Sequence, residues 1–178
     1  MLYKVGQENK ADSFVDELLG KNLNDRETKK VKIAYQKSKF NTKEYVDLLV
    51  SYLEENYDDS EAWLELAITY EKLLNFDRAL YCYEEMLLLN PENLALYLKL
   101  AELNYTIGKL ENLKVARQYF CFLLNINDKG LRCLWGLLNT CQRLIEVERS
   151  NDNNKTIVTL VEEKLSKIYA KVDVIDFK

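Results

Sequence analysis

The chain has 178 residues, of which 48% are hydrophobic and 30% are charged, and its net charge is −4. A length of this order suffices for one domain or one short repeat array, and the scarcity of glycine and proline favours long helices. Because the chain is mildly acidic and lacks histidine, the composition offers no electrostatic footprint for nucleic acid and excludes histidine-based catalysis and Cys/His zinc sites.

Two weak copies of a helical repeat precede residue 60. Stepping back by one repeat length from apolar positions further along the chain predicts second helices of these copies near 42–56 and 10–20. A complete first helix does not fit before Ala11. We therefore expect residues 1–25 to form a partial N-terminal repeat.

The repeat at 26–59 is predicted to be degenerate. Its first helix, over 26–39, has Lys29 at a position where a large apolar residue is expected. Lys29, Lys30 and Lys32 form a local basic cluster, and a solvated helix face is favoured over a phosphate site for it.

The most regular repeat spans residues 60–93, and its span defines the repeat length. Apolar residues at offsets of 3, 4 and 7 from Trp63 mark one face of a first helix, and a second helix restarts the pattern after a turn near Asn75. Asp59 or Ser60 is suited to cap the first helix, and the repeat closes at a proline, which cannot donate a backbone hydrogen bond. The packing positions of this repeat are Trp63, Leu66, Ala67, Tyr70, Ala79, Tyr83, Met86 and Pro91.

The next repeat, over 94–130, begins in register and then slips by three residues. Its packing residue Ala101 lies one repeat length after its counterpart in the regular repeat, whereas Ala116 and Phe120 arrive three residues late. The extra residues lie near the stretch GKLEN, where Gly108 is suited to a left-handed turn. They either lengthen the link or start the second helix early.

Residues 131–171 are predicted to form a C-terminal helix pair. The polar stretch at 149–155 is typical of a surface loop, and an apolar stripe predicts a final helix over 155–171. Residues 172–178 are left as a short tail. All of these elements together predict an all-α fold.

The packing positions resemble those of the tetratricopeptide repeat. The resemblance implies one α-solenoid over residues 1–178, a right-handed superhelix of antiparallel helix pairs with a concave face for partners. In that family, the second, fifth, ninth, twelfth and thirteenth positions of each repeat line the groove. The candidate partner-binding groove residues are Leu64, Ile68, Leu98, Glu102, Tyr105, Trp135, Asn139 and Gln142. The alternative is that neighbouring helices partly cover Leu64, Leu98 and Trp135.

Other motifs are few. None of the cysteines forms a CxxC pair, so buried reduced thiols are expected. No apolar run approaches the ~20 residues that span a bilayer, and we expect a soluble, cytosolic protein. Glycosylation triplets begin at Asn104 and Asn154, but no signal peptide precedes them and no modification is expected. The cysteines are Cys82, Cys121, Cys133 and Cys141.

Three classes of function were weighed from the residues. For an enzyme there is no histidine, Gly-rich phosphate loop or ligand cluster, so no catalytic residue, metal or cofactor is predicted. A co-chaperone module would need a basic groove to clamp an acidic tail. A scaffold within a stable assembly is favoured, because an apolar-centred groove suits an extended or helical partner segment. The residues that would serve an acidic-tail clamp are Lys72, Arg132, Asn139 and Arg143.

The slipped repeat carries a more specific resemblance. The stretches EAWLELAITY (61–70), ALYCYEEMLLLNP (79–91), AELNYTIGKLENLKVARQYF (101–120) and LRCLWGLLNTC (131–141) are similar to the family of subunit 2 of the endoplasmic reticulum membrane protein complex, also called the tetratricopeptide repeat domain 35 family. The resemblance implies a non-enzymatic scaffold on the cytosolic face of the endoplasmic reticulum membrane, peripheral to the bilayer. In this family the scaffold organises other subunits for the insertion of tail-anchored and multipass membrane proteins.

The family also implies which partners to expect. They are cytosolic segments of membrane subunits and a further soluble subunit, with no nucleic acid and no bilayer-spanning segment in the chain itself. The inserted residues 110–112 are a candidate contact for such a partner. A generic peptide-binding adaptor or co-chaperone is the alternative function.

Overall fold

The computed structural model describes residue 17 and residues 26–38, 42–148 and 152–172. Within these ranges every regular element is a helix, which confirms the predicted all-α fold. The helices with described bounds are α1 Arg26–Ser38, α2 Thr42–Glu55, α3 Ser60–Lys72, α4 Phe76–Leu89, α5 Leu94–Ile107, α6 Leu110–Ile126, α7 Leu131–Glu148 and α8 Asp152–Val172.

The chain divides into two compact units, Met1–Thr69 and Tyr70–Lys178, with the boundary inside α3. Unit 1 contains α1, α2 and most of α3, and unit 2 contains the last turn of α3 and α4 to α8. The helix predicted at 10–20 lies outside the described residues except for Glu17, as does the tail beyond Val172. The predicted division of the chain into repeats stays a prediction.

A buried carboxylate, Asp59, joins the helices of unit 1. One of its oxygens caps α3 by accepting the backbone N–H of Ala62 at 3.2 Å. The other accepts the Tyr52 hydroxyl of α2 at 2.7 Å and contacts the Lys30 and Arg26 cations of α1 at 2.7 and 3.3 Å. Burial alone would raise the pKa of Asp59, but the hydrogen bonds outweigh it and hold that pKa well below its usual range.

Several ion pairs connect α1 to the rest of unit 1. Among its described side chains only Ile33 is buried. Lys29 is half-buried and forms an ion pair with the exposed Glu55 of α2. Lys29 lies where the repeat pattern expects a large apolar residue. In α1 this lysine is accommodated because its charge is paired with that of Glu55.

The core of unit 2 forms where α5, α6, α7 and α8 meet. The Phe120 ring of α6 lies against Gly136 of α7, where an added Cβ would overlap the ring. Only glycine allows so close an approach. The buried cluster consists of Ala101, Ala116, Phe120, Leu134, Leu137, Leu138, Cys141, Val161 and Leu165.

Most of the predicted packing positions are buried. Pro91 is the exception and lies exposed in the turn between α4 and α5. The remaining side chains are at most 9% exposed, as helix contacts require, and their role in packing between repeats stays a prediction. They are Trp63, Leu66, Ala67, Tyr70, Ala79, Tyr83, Met86, Ala101, Ala116 and Phe120.

The three extra residues of the slipped repeat lengthen its second helix, α6. The start of α6 follows the start of α4 by one repeat length, but α6 has 17 residues where α4 has 14. The extra residues thus lie within the helix, ahead of Ala116, and do not lengthen the link. Gly108 ends α5 with a left-handed φ of 71°. Leu74 lies one repeat length before Gly108 and also has a left-handed φ, of 56°. The first helix therefore ends at the same repeat position in both repeats.

Buried amides fix the added turn in place. The Asn104 side chain of α5 is 2% exposed and accepts a hydrogen bond from Asn112 Nδ2 of α6 at 2.8 Å. Its own Nδ2 donates to the Leu100 carbonyl at 2.9 Å. The start of α6 is thereby held against α5, and the Asn104 amide is not accessible to a glycan.

The prediction of a loop over 149–155 is wrong from Asp152 onwards, where α8 begins. Residues 149–151 lie outside the described ranges. Asn154 is fully buried, and its Oδ1 accepts a hydrogen bond from Arg117 of α6 at 2.5 Å. A tertiary partner thus holds in a helix a segment whose composition is typical of a loop.

The cysteines of the described chain are free thiols. Cys82 and Cys141 are buried, whereas Cys121 and Cys133 are half-buried. Burial raises the pKa of Cys82 to about 12 and that of Cys141 to about 11. Little reactive thiolate is therefore present at neutral pH at these two positions.

Replacing Asp59 by Asn should lower the free energy of unfolding by roughly 3 kcal/mol at pH 7, because the cations around it lose a buried charged acceptor. The folded pKa lies below the unfolded one, so the carboxylate stabilises fully above about pH 4 and this contribution is lost as the pH falls further. Urea denaturation of both proteins should show a difference in the free energy of unfolding that is constant from pH 7 to about pH 5 and shrinks as the pH falls below about 4.

The matched control is Asp58→Asn. The Asp58 carboxylate is exposed and pairs with Arg26 at the surface, so its loss should cost less than about 1 kcal/mol. Equal destabilisation by the two substitutions, or a difference that does not depend on pH, would contradict the central role of Asp59.

Replacing Gly108 by Ala should destabilise the chain by about 1–2 kcal/mol. Its positive φ is strained for alanine, and the new Cβ would stand 2.6 Å from the Arg143 guanidinium. Gly130→Ala is the control, since the nearest heavy atom would lie 3.4 Å away and the backbone is not left-handed. Thermal unfolding followed by circular dichroism should separate the two variants, and equal midpoints would refute the assignment.

Candidate partner-binding surface

The predicted groove residues of unit 1 lie on one face of α3. Leu64 and Ile68 are four residues apart, and each is 39% exposed. Both side chains are thus partly covered within the fold and partly open to solvent. They present a small apolar stripe along the helix.

In unit 2, α7 presents an open face and α5 a more covered one. Trp135, Asn139 and Gln142 follow each other at offsets of four and three residues, share one side of α7, and are exposed. On α5, Leu98 and Tyr105 are half-buried and pack against the core of unit 2. Partial covering by neighbouring helices therefore holds for Leu98, whereas Trp135 stays accessible. We call the exposed side of α7, with Trp135, Asn139 and Gln142, the α7 face.

The indole of Trp135 has its polar edge satisfied within unit 2. Its Nε1–H donates to the hydroxyl of Tyr169 in α8 at 3.2 Å, and Tyr169 is itself exposed. An aromatic ring whose N–H is already bonded offers its apolar surface to a partner. The α7 face thus combines an apolar anchor with two exposed amide side chains.

The arginines that an acidic-tail clamp would need are engaged inside unit 2. Arg132 forms a bidentate pair with Glu102 of α5, with N–O distances of 2.5 and 2.7 Å. Arg143 donates to the backbone carbonyl of Tyr105 at 3.1 Å and lies 5.0 Å from the centroid of its ring. Glu102 and Tyr105, predicted as groove residues, therefore already hold partners of their own chain.

A further charge pair in unit 2 was not foreseen from the sequence. Glu71 accepts the Tyr83 hydroxyl at 2.7 Å and the Lys99 ammonium at 2.8 Å. The partners in this pair and in the Glu102–Arg132 pair are separated by 28 and 30 residues. Both pairs join oppositely charged residues that are 28 or 30 residues apart, slightly less than one repeat length. This spacing is the sequence signal that could have revealed the two pairs.

Among the described residues, no group of three or more His, Cys, Asp or Glu side chains is placed to hold a metal ion. No described helix has the length and apolarity needed to cross a membrane. Trp135, Asn139 and Gln142 expose an indole and two amides, and these groups suit contact with a protein segment.

Two solved structures, one of them a tetratricopeptide repeat protein, share the fold. A tetratricopeptide repeat protein from Parabacteroides merdae matches with a TM-score of 0.59 at 16% identity, over 98% of this chain and 74% of its own. A chain in the structure of Naa15/Naa10 bound to HypK-THB matches with a TM-score of 0.63 at 20% identity, over 92% of this chain and 24% of its own. The chain therefore has the tetratricopeptide-repeat fold, as predicted.

Sequence comparison gives the family. The model of the EMC2 TPR-like repeat domain matches residues 2–111. Subunit 2-B of the ER membrane protein complex of Xenopus laevis is 40% identical over 122 residues, 68% of this chain and 41% of its own length. TPR repeat protein oca3 of Schizosaccharomyces pombe is 33% identical over 139 residues, 77% of this chain and 49% of its own. The chain belongs to the family of ER membrane protein complex subunit 2, which confirms the resemblance, and it spans less than half the length of these relatives.

Acrylamide should quench the fluorescence of Trp135 more strongly than that of Trp63, because the two side chains are 44% and 9% exposed. The chain has two tryptophans, so Trp63→Phe leaves the signal of Trp135 and Trp135→Phe leaves that of Trp63. A steeper Stern–Volmer slope is expected for Trp135. Equal slopes would mean that this indole is covered and would remove it from the candidate surface.

Proposed function

We propose that the chain is a non-enzymatic scaffold subunit of the ER membrane protein complex, acting on the cytosolic side of the endoplasmic reticulum membrane. Family membership supports this function, because its relatives carry the name of subunit 2 of that complex. The role is positional. The scaffold holds other subunits in the arrangement that inserts tail-anchored and multipass proteins, and the polar path for those clients belongs to the membrane subunits.

The observation that carries the proposal is the α7 face. Trp135, Asn139 and Gln142 are exposed on a helix whose opposite side is filled with buried leucines. A large aromatic side chain beside hydrogen-bonding amides suits an extended or helical segment of a partner. We assign a cytosolic segment of a membrane subunit to this face.

A generic adaptor or co-chaperone function is less well supported. A clamp for an acidic tail needs lysine or arginine side chains that are free to pair with the carboxylates of that tail. Arg132 forms two hydrogen bonds to Glu102, and Arg143 donates to the Tyr105 carbonyl. An acidic peptide would have to compete with Glu102 for Arg132.

Replacing Trp135 by Asp should abolish recovery of membrane subunits with the tagged full chain in mild detergent. The substitution removes the apolar anchor and places a charge where the partner is desolvated. Trp135 is a better target than Leu98, because Leu98 also packs against the core. Helicity measured by circular dichroism should be unchanged.

The matched control is Leu160→Asp, at a position of α8 that is 60% exposed and outside the predicted groove. This variant should retain the membrane subunits. If Trp135→Asp retains them as well, the α7 face is not the docking site. If the unmodified chain recovers chaperones alone, the adaptor function replaces the scaffold function.

A further inference from the structure

The carboxylate of Glu84, on α4, has no cation of its own chain beside it. The side chain is exposed, and among the described residues no lysine or arginine forms an ion pair with it. Partial burial of the carboxylate and the neighbouring charge of Glu85 raise the pKa of Glu84. Glu85 differs, because it accepts a hydrogen bond from the Tyr81 hydroxyl. Glu84 is therefore an anion in surroundings that favour its neutral form, and a cation from another molecule would stabilise it.

Three aromatic rings of α5 and α6 lie together beside this carboxylate. The ring of Tyr97 meets that of Tyr119 edge-on at a centroid distance of 5.8 Å, and it tilts against Phe122 at 4.8 Å. Phe122 is 42% exposed. Burial, followed by the charge of Glu84, raises the pKa of Tyr119, so the carboxylate lies near that hydroxyl. The unpaired negative charge thus adjoins an exposed aromatic surface.

An exposed leucine extends this surface along α4. Leu88 is 77% exposed, more than any other large hydrophobic side chain in the described ranges. It follows Glu84 by one helical turn and so lies on the same side of α4. We call Glu84, Leu88, Tyr97, Tyr119 and Phe122 the acidic–aromatic surface. It shares no residue with the α7 face.

The cations of the surrounding helices are engaged away from Glu84. Arg78 of α4 lies 5.6 Å from the ring centroid of Tyr70 in α3, and Arg117 of α6 donates to Asn154 in α8. The lysines of α5 and α6 are paired with carboxylates other than Glu84, and the turn after α4 adds a further exposed carboxylate without an ion pair. These residues are Lys99, Lys114 and Glu92. A cation that neutralises Glu84 has therefore to come from outside the described chain.

We infer that the acidic–aromatic surface binds an arginine-bearing segment of a partner protein. The guanidinium pairs with the Glu84 carboxylate and stacks on the exposed face of Phe122, and an apolar side chain of the same segment packs on Leu88. Arginine suits the surface better than lysine, because its planar group both forks onto a carboxylate and stacks on a ring. The inference adds a second docking surface to the proposed function, and only the choice of probes below rests on that function.

Peptides with and without the arginine charge test the inference. The probes are fluorescent peptides that tile the cytosol-facing segments of the other subunits of the complex, titrated with the full chain in an anisotropy assay. Each arginine-containing peptide that binds is remade with citrulline, which keeps the shape of arginine and removes its charge. For at least one peptide, the Kd should rise about tenfold or more with citrulline and equally with Glu84→Gln, and it should rise between roughly 0.05 and 0.5 M NaCl.

Two further variants separate the contact from general effects of charge and folding. Glu163→Gln makes the same change at an exposed carboxylate of α8 that likewise has no ion pair, and it should leave the Kd within about twofold. Phe122→Leu keeps an apolar side chain but removes the ring, and it should weaken binding about threefold or more. Glu84→Gln should not lower the midpoint of thermal unfolding, because the carboxylate pairs with no cation of the described chain.

The inference requires that citrulline and Glu84→Gln weaken the same peptide. If neither change does, or only one of them, the inference is overturned. Peptides that lose binding with Trp135→Asp and are unaffected by Glu84→Gln would leave the scaffold function standing and overturn the acidic–aromatic surface alone. If no tiled peptide binds the full chain, both the inference and the proposed function are overturned.

Discussion

The close approach of α6 to α7 at Gly136 is the contact on which unit 2 depends. Because the Phe120 ring fills the space that a side chain at 136 would occupy, α7 lies near enough for its leucines to complete the core. Helical spacing then determines what the other side of α7 presents. Leu134 and Leu138 point into the core, so their neighbours Trp135 and Asn139 are left to solvent. One tight packing contact thus orients the surface that we assign to a partner.

In this protein, charge pairs connect neighbouring helices at positions where more regular repeats have apolar side chains. In unit 1, α1 has one buried residue among its described side chains and is attached to its neighbours through Asp59 and further ion pairs. In unit 2, the pairs formed by Glu71 and Glu102 hold side chains that would otherwise be available at the groove. An isolated half-buried charge is costly, and neutralisation removes that cost while leaving the shape of the helix surface intact.

Apolar spacing was sufficient to predict the helices and the register of the most regular repeat. It did not decide where the three extra residues would lie, since Gly108 permits either a longer link or an early helix. The hydrogen bond between Asn112 and Asn104 accompanies the second outcome, and a polar pair across two helices leaves no periodic trace. Asn154 was assigned to a loop for a related reason, because its partner Arg117 lies 37 residues earlier. At the candidate surface, the repeat pattern selected Trp135, Asn139 and Gln142 but left open whether a neighbouring helix covers Trp135. The pairing of Glu102 depended on a side chain of another helix.

The fold of unit 2 buries the acceptor asparagine of both glycosylation triplets, so the folded chain cannot carry a glycan at either of them. Asn104 and Asn154 are acceptors by sequence, yet each amide lies inside unit 2, where a glycan has no room. A glycan at Asn104 would separate α5 from α6, because Asn104 hydrogen-bonds to Asn112 across those helices. A glycan at Asn154 would separate α8 from α6, because Asn154 accepts a hydrogen bond from Arg117. Attachment of a glycan at either asparagine is thus incompatible with the folded packing of unit 2.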